Sequence, residues 1–173
     1  MVTERKFAHF KRDIALPRMK DIPEGGFCIS SFVIIMKTGN PNHILMGRLN
    51  KKADWNHLGA LDPERVQSFG KGWMIPSSGL MLGESPQDAA QRVLKEQLGL
   101  VDQKLKGPLV FSEVYGPKNH WDLEFLFIGE RDQPPSTDAW TELAFVDLGL
   151  KTSRPEIARL HEDILAHLHK WDS

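Results

Sequence analysis

Apolar residues in the first third of the chain follow a pattern that predicts a β-hairpin. Residues 27–36 are rich in β-branched and aromatic side chains, and the run is too short for a long buried helix, which favours a strand. Residues 38–42 form a turn cluster, and residues 43–49 continue as a second strand. A polar connection follows at residues 50–71, and connections of this length usually form part of a site or stay mobile.

The middle of the chain contains the clearest helical signal. Residues 72–76 are predicted to be extended, because the proline that ends this stretch disfavours helix before it. Ser85 then caps a helix that has Pro86 at its first position, and Asp88 lies where a capping-box acid faces back. Gly99 is expected to end the helix, since glycine adopts a left-handed conformation at little cost.

The remaining pattern completes one domain. Further strands are predicted at 109–115, 121–129 and about 142–146, and a last helix is predicted from about 154 to 171. The element order β-β-β-α-β-β-β-α favours an α/β sandwich with a mixed sheet over a regular βαβ winding. We interpret residues 1–25, which are mixed and charged, as an N-terminal extension, and residues 26–173 as a single domain.

Composition changes this picture mainly by exclusion. The 173 residues carry 22 Lys and Arg against 23 Asp and Glu, a net charge of −1, so no global field attracts nucleic acid or an anionic membrane. The single cysteine, Cys28, cannot form an internal disulfide or a zinc knuckle. The chain has no apolar run of a membrane-spanning length and no secretory signal pattern. We therefore expect a cytoplasmic protein that binds neither nucleic acid nor membranes.

The chemical signal lies in a loop and the helix that follows it. Such a corner can gather carboxylates and main-chain carbonyls around a hard divalent cation. With a Trp-x-x-Pro lead-in, the segment 78–100 resembles the Nudix box. The residues in register are Glu84, Arg92, Leu94, Glu96, Gly99 and Leu100. The resemblance implies a Nudix-type α/β/α sandwich and hydrolysis of a nucleoside diphosphate derivative. It assigns Glu96, Arg92 and Glu84 to the catalytic site, and favours Arg92 and Glu84 as a salt bridge that shapes the loop over direct catalysts.

The segment departs from the family pattern on the face expected to bind metal. Pro-Ser-Ser at 76–78 replaces the usual Pro-Gly-Gly, and Val93 and Gln97 replace two glutamates. The resemblance then leaves Glu96 and the main chain at Ser77 as the expected metal ligands. Because Mg²⁺ sites depend on carboxylates and substrate phosphates, Mg²⁺ or Mn²⁺ is expected to bind weakly here.

One branch of the family shows a similar loss. In GDP-mannose mannosyl hydrolases an apolar residue follows the box arginine and a single glutamate precedes Leu-Gly, and residues 92–99 resemble this pattern, with the acid one position earlier. That branch attacks the sugar carbon with a histidine base from a downstream loop, for which this chain offers His120. The resemblance favours a nucleotide sugar, with Arg48, Glu113 and Glu124 as candidate substrate-binding residues. Each could instead be an ordinary surface or strand-edge side chain.

Other interpretations stay open at this level. The loss of two acids also fits a catalytically impaired Nudix domain that acts as a nucleotide-binding or protein-interaction module. Trp55, Trp73 and Trp140 are candidates for stacking on a nucleobase, although aromatic residues lie more often in cores. The resemblance also allows a homodimer. The histidines of the last predicted helix lack the spacing of a zinc motif: His161, His167 and His169.

Overall fold

A computed structural model describes residues 9–10, 26–69, 72–115, 120–148, 157, 164–165 and 168. Most of the predicted last helix, including its three histidines, and most of the predicted N-terminal extension lie outside these residues, although residues 164–165 and 168 are described and helical. The strands are β1 (His9–Phe10), β2 (Phe27–Lys37), β3 (Asn40–Leu49), β4 (Ser77–Gly79), β5 (Lys106–Tyr115), β6 (His120–Arg131) and β7 (Trp140–Asp147). The helices are α1 (Trp55–Gly59), α2 (Pro63–Phe69) and α3 (Pro86–Leu98).

A mixed sheet of seven strands organises the described residues. Its main order is β5-β6-β2-β3-β7, and β1 and β4 also pair with β2. β2 and β6 run parallel in unbroken register, from Phe27 opposite Trp121 to Lys37 opposite Arg131, whereas the other pairs are antiparallel. A parallel pair requires a long crossover connection, and α3 lies within it. The predicted α/β class with a mixed sheet is confirmed.

Helix α3 begins and ends where its sequence predicts. The Ser85 hydroxyl accepts a hydrogen bond from the main-chain N–H of Asp88 at 3.1 Å, and Pro86 occupies the first helical position. Gly99 ends the helix in the left-handed region, with φ of 65°, and its N–H donates to the carbonyl of Leu94. These caps satisfy main-chain groups that would otherwise lack partners at the helix ends.

Alternating residues of β2 build the two sides of the core. Val33 and Ile35 face α3 and pack with its fully buried Val93 and Leu94. Side chains on the other face pack into a second cluster with residues near the end of the chain: Phe32, Ile34, Ile44, Met46, Ile164, Leu165 and Leu168. Because the side chains of a strand alternate between its faces, this pattern places helical residues on both sides of the sheet.

The structure adds detail to two predicted segments. The polar connection at residues 50–71, expected to form part of a site or to stay mobile, contains α1 and α2. The stretch predicted as extended at residues 72–76 forms only isolated bridges at Trp73 and Met74, and the strand β4 begins after Pro76. Proline has no N–H to donate to a ladder, although its carbonyl accepts from Val33 at 2.9 Å.

Candidate functional site

The loop before α3 is held by a buried ion pair between Arg92 and Glu84. Nε of Arg92 donates to Oε1 of Glu84 at 2.8 Å, and Nη2 donates to Oε2 at 2.7 Å. Both side chains are 8% exposed. This parallel, two-bond geometry between a guanidinium and a carboxylate is the strong form of the interaction.

The same two side chains also bind the loop main chain. Nη2 of Arg92 donates to the carbonyl of Gly79 and Nη1 donates to the hydroxyl of Ser78, both at 3.0 Å. Oε2 of Glu84 accepts from the N–H of Met81 at 2.8 Å. The predicted contact between Arg92 and Glu84 is therefore present, and its atoms are engaged in fixing the loop. Their assignment to catalysis stays a prediction.

Gln97 occupies the position where the family pattern has its last glutamate, and its side chain is fully buried. Nε2 donates to the carbonyl oxygen of Ser77 at 2.7 Å and to that of Leu58 at 2.9 Å. Both partners can only accept, so the amide nitrogen, not the amide oxygen, must face them. Oε1 of Gln97 is buried with no hydrogen-bond partner.

These contacts test whether the box can hold Mg²⁺ or Mn²⁺. The carbonyl of Ser77, the expected metal ligand, accepts a hydrogen bond from an amide donor. Val93 is fully buried in the core cluster beside α3, and Glu96 remains as a half-buried carboxylate on the helix. Mg²⁺ keeps several waters and is usually bound through one or two carboxylates together with substrate phosphates. Among the described residues, one half-buried carboxylate, one buried amide oxygen and a carbonyl that already accepts a hydrogen bond do not fit a cation that stays bound without substrate.

A cavity of about 130 Å³ lies beside the loop, and polar residues of β2 and β6 form one of its walls. The wall consists of Cys28, Ser30, His120, Asp122 and Glu124. Residues two apart on a strand share a face, and the parallel register places Cys28 beside Asp122 and Ser30 beside Glu124. Nε2 of His120 lies 2.8 Å from Oδ1 of Asp122, and Glu124 is only 2% exposed.

Further lining of the cavity comes from the polar connection at residues 50–71 and from β4. It includes Leu61, Arg65 and Phe69 from α2 and the turn before it, together with Ser77, Ser78 and Gly79 of β4. Capping signals for both short helices are present in the sequence. Asp54 accepts from the N–H of His57 at 3.1 Å, and Asp62 accepts from the N–H of Arg65 at 2.8 Å.

The other candidate residues lie outside the described lining of this cavity. Arg48 forms an ion pair with Glu142 at 3.4 Å, and its guanidinium stacks 4.6 Å from the ring centre of Trp73. Glu113 is half-buried on β5, in register with Asp122. The structure thus brings His120, Glu124 and Ser77 together at the cavity and separates Arg48 and Glu113 from it.

The candidate stacking tryptophans pack mainly into the protein. Trp55 and Trp140 are 2% and 5% exposed and meet edge to face, with ring centres 4.8 Å apart. The indole N–H of Trp140 donates to the main-chain oxygen of Gln97 at 3.0 Å. Both rings still contribute edges to the cavity. Sequence reasoning missed Cys28, Asp122 and Arg65, for which spacing alone carries no signal because their neighbours come from distant segments.

Several solved structures are similar to this chain. No family model and no curated protein sequence matches the chain. A bifunctional NMN adenylyltransferase/ADP ribose pyrophosphatase from Francisella tularensis aligns with a TM-score of 0.57 at 16% identity, over 91% of this chain and 44% of that one. The chain therefore spans less than half the length of that protein. A second structure of it, complexed with AMP and a Mn ion, aligns at 0.54 and 17% identity, over 83% and 41%.

Two further structures cover most of both chains. The MutT protein from Methanosarcina mazei Go1 aligns with a TM-score of 0.57 at 14% identity, over 88% of this chain and 98% of that one. The Nudix domain of NrtR from Shewanella oneidensis, complexed with ADP ribose, aligns at 0.57 and 11% identity, over 84% and 88%. None of the helices in the described ranges has the length and apolar character that a membrane crossing requires. The likeness to these structures establishes the fold: this chain has the Nudix fold.

Proposed function

We propose that this protein binds a nucleoside diphosphate derivative in the cavity beside β4, with no resident cation in the box. The observation that carries the proposal is the hydrogen bond from Gln97 to the carbonyl of Ser77. An amide N–H directed at this oxygen takes the place of a metal ion, so the box keeps its shape without one. The intact Arg92–Glu84 pair fixes the same loop independently of metal.

The neighbouring structures support the ligand class. The Shewanella domain was solved with ADP ribose, and one Francisella structure was solved with AMP and a Mn ion. In this chain, Arg65 and Phe69 lie at the cavity wall formed by α2. Arg65 is exposed and can contact a diphosphate through two parallel hydrogen bonds, while Phe69, partly buried against the core, lines the same cavity and would contact a base.

Charge and volume indicate how the ligand is oriented. Asp122 and Glu124 would repel phosphates but accept hydrogen bonds from sugar hydroxyls. The enclosed volume of about 130 Å³ is below the roughly 300–1,000 Å³ of most ligand sites, so it suits one sugar moiety. The sugar would occupy the acidic end and the diphosphate would lie towards Arg65. This arrangement favours a nucleotide sugar or ADP ribose over a nucleoside triphosphate.

A second candidate function is hydrolysis of the nucleotide sugar at its sugar carbon. The His120–Asp122 pair favours it, because Asp122 can orient the ring that receives a proton. Water would attack the sugar carbon, its proton would pass to His120, and the bond from that carbon to the diphosphate oxygen would break. Nucleoside diphosphate and free sugar would be the products. Glu124, almost fully buried at the same wall, is the alternative base.

One experiment separates the two functions. Binding of ADP ribose, GDP-mannose and a nucleoside triphosphate is measured by calorimetry in EDTA and in Mg²⁺, and product release is followed on the same samples. Binding of a diphosphate derivative in EDTA without turnover supports the proposal. Turnover that is lost in both His120→Ala and Glu124→Gln supports hydrolysis. Binding that requires Mg²⁺ and is lost in Glu96→Gln contradicts a box without a cation.

A further inference from the structure

We propose that Cys28, His120 and Asp122 form a binding site for a transition metal ion, most suitably Zn²⁺, on the wall of the cavity. The Sγ of Cys28, a ring nitrogen of His120 and a carboxylate oxygen of Asp122 lie within 4.8 Å of one another. All three side chains are half-buried and line the same cavity. This metal-binding property goes beyond the proposed function, and its test needs no nucleotide.

The sheet places these donors next to each other. Cys28 on β2 and Asp122 on β6 are direct partners in the parallel register, and His120 shares the face of Asp122 two residues earlier. The strand end is fixed on both sides: the N–H of Trp121 donates to the carbonyl of Gly26 at 3.1 Å, and His120 pairs with Tyr115 on β5. Ligands on rigid strands hold a metal geometry better than ligands on loops.

The spacing requires only small side-chain rotations. With Zn–S near 2.3 Å and Zn–N near 2.0–2.1 Å, tetrahedral ligands lie roughly 3.6 Å apart. The observed limit of 4.8 Å leaves about 1 Å to close by rotation about the side-chain bonds of Cys28 and Asp122. Without metal, the hydrogen bond between His120 and Asp122 satisfies both groups. On binding, the thiol releases its proton to solvent and the imidazole coordinates in its neutral form.

The donor set selects the kind of metal. A thiolate and an imidazole are ligands of Zn²⁺ and similar ions, whereas Mg²⁺ prefers oxygen only. Three protein ligands leave one coordination position open, as in catalytic rather than structural zinc sites. The open position would face the cavity, whose wall also includes Glu124. A cation here would offset the negative charge at this end and could bind an oxygen of a ligand.

The wild-type chain, without an affinity tag and stripped with EDTA, provides the first test. We expect one equivalent of Co²⁺ to produce thiolate-to-cobalt charge-transfer absorption that Zn²⁺ abolishes by displacement. Zn²⁺ should also protect Cys28, the only cysteine, from alkylation by iodoacetamide in the folded chain. If Co²⁺ gives no charge-transfer absorption and Zn²⁺ leaves the alkylation rate unchanged, there is no such site. Alkylation that is fast with or without Zn²⁺ would instead identify Cys28 as a reactive thiol.

Substitutions identify the ligands. Cys28→Ser and Asp122→Asn should each weaken Zn²⁺ binding about tenfold or more. The matched controls are Ser136→Ala and Asp132→Asn, since both side chains are exposed beyond the end of β6. Circular dichroism establishes that each variant is folded before titration. Unchanged Zn²⁺ affinity in folded Cys28→Ser, or an equal loss in the controls, overturns the proposal. Nucleotide binding is then still open, since no nucleotide is present in these measurements.

Discussion

The side-chain amide of Gln97 and the main-chain oxygen of Ser77 are joined by a 2.7 Å hydrogen bond in the box. A carboxylate at position 97 could not make this contact without a cation, because two acceptors facing each other repel. The same amide also reaches the carbonyl of Leu58, which ties α1 to the box. Glutamine at this position thus makes a neutral hydrogen bond that closes the loop, where the resemblance to the Nudix box would place a glutamate.

Gln97→Glu should make the box dependent on metal. In EDTA the new carboxylate would face the carbonyl oxygens of Ser77 and Leu58, and we expect the stability to fall by about 1–3 kcal/mol or more, the cost of a buried polar group without a partner. Mg²⁺ or Mn²⁺ should restore part of the loss. Thermal unfolding with and without metal measures both effects. Gln91→Glu, which adds the same charge on the exposed face of α3, should show neither.

Glu84→Gln should destabilise the protein strongly, because it leaves the buried guanidinium of Arg92 without a counter-charge. We expect a loss of about 3–5 kcal/mol, measured by urea unfolding. Glu142→Gln is the matched control, since Glu142 pairs with Arg48 at a far more exposed position, 54% against 8% for Glu84. Its cost should be about 0–1 kcal/mol. Equal costs for the two variants would show that the buried pair does not brace the loop.

Gly47→Ala should disturb the cavity through Trp140. A Cβ at position 47 would overlap the ring of Trp140, so the indole must move. We expect a loss of about 1–3 kcal/mol by urea unfolding, together with weaker ligand binding because Trp140 lines the cavity. In Gly59→Ala the new Cβ would have its nearest contacts at 3.4 Å, so the free energy of unfolding should stay close to that of the wild type. A neutral Gly47→Ala would contradict the close packing of this ring.

Arg65→Ala should weaken binding of a diphosphate ligand by roughly tenfold or more, the equivalent of one charge-assisted hydrogen bond. Arg65 lies at the cavity, whereas the control Arg131 lies at the far end of β6, where Nε donates to the carbonyl of Gln133. Calorimetry with the best ligand of the panel measures both variants. If Arg131→Ala loses as much affinity as Arg65→Ala, general charge rather than a local contact explains the effect.

Local signals in the sequence predicted much of the fold. The β-branched run of β2, the turn after it and the cap at Ser85 with Gly99 at the other end each depend on neighbouring residues, and the structure has all of them. The spacing of Glu84 and Arg92 likewise predicted their ion pair. Each of these contacts joins residues of a single helix or strand, or of the loop next to it. The separation of such residues along the chain largely determines how close they lie in space.

The cavity could not be predicted in the same way. Cys28 and Asp122 are distant in sequence and meet only because β2 and β6 pair in parallel, and pairing register is a property of the whole sheet. The role of Gln97 also depends on a carbonyl from α1, in a segment where the sequence predicted no particular element. The sequence shows glutamine at position 97 where the resemblance expects a glutamate, but only the fold shows which hydrogen bonds this glutamine makes.

The most direct test of the central claim observes the side-chain amide of Gln97 itself. Its ¹⁵N–¹H signals are assigned by their disappearance in Gln97→Glu, and Mg²⁺ and then Mn²⁺ are titrated into the wild-type protein. We predict slow hydrogen exchange, no saturable shift with Mg²⁺ and no selective broadening by Mn²⁺, because the amide already occupies the Ser77 oxygen. Saturable shifts of the Gln97 side chain together with the main-chain amides around Ser77 would show that the box binds a cation and would contradict the account.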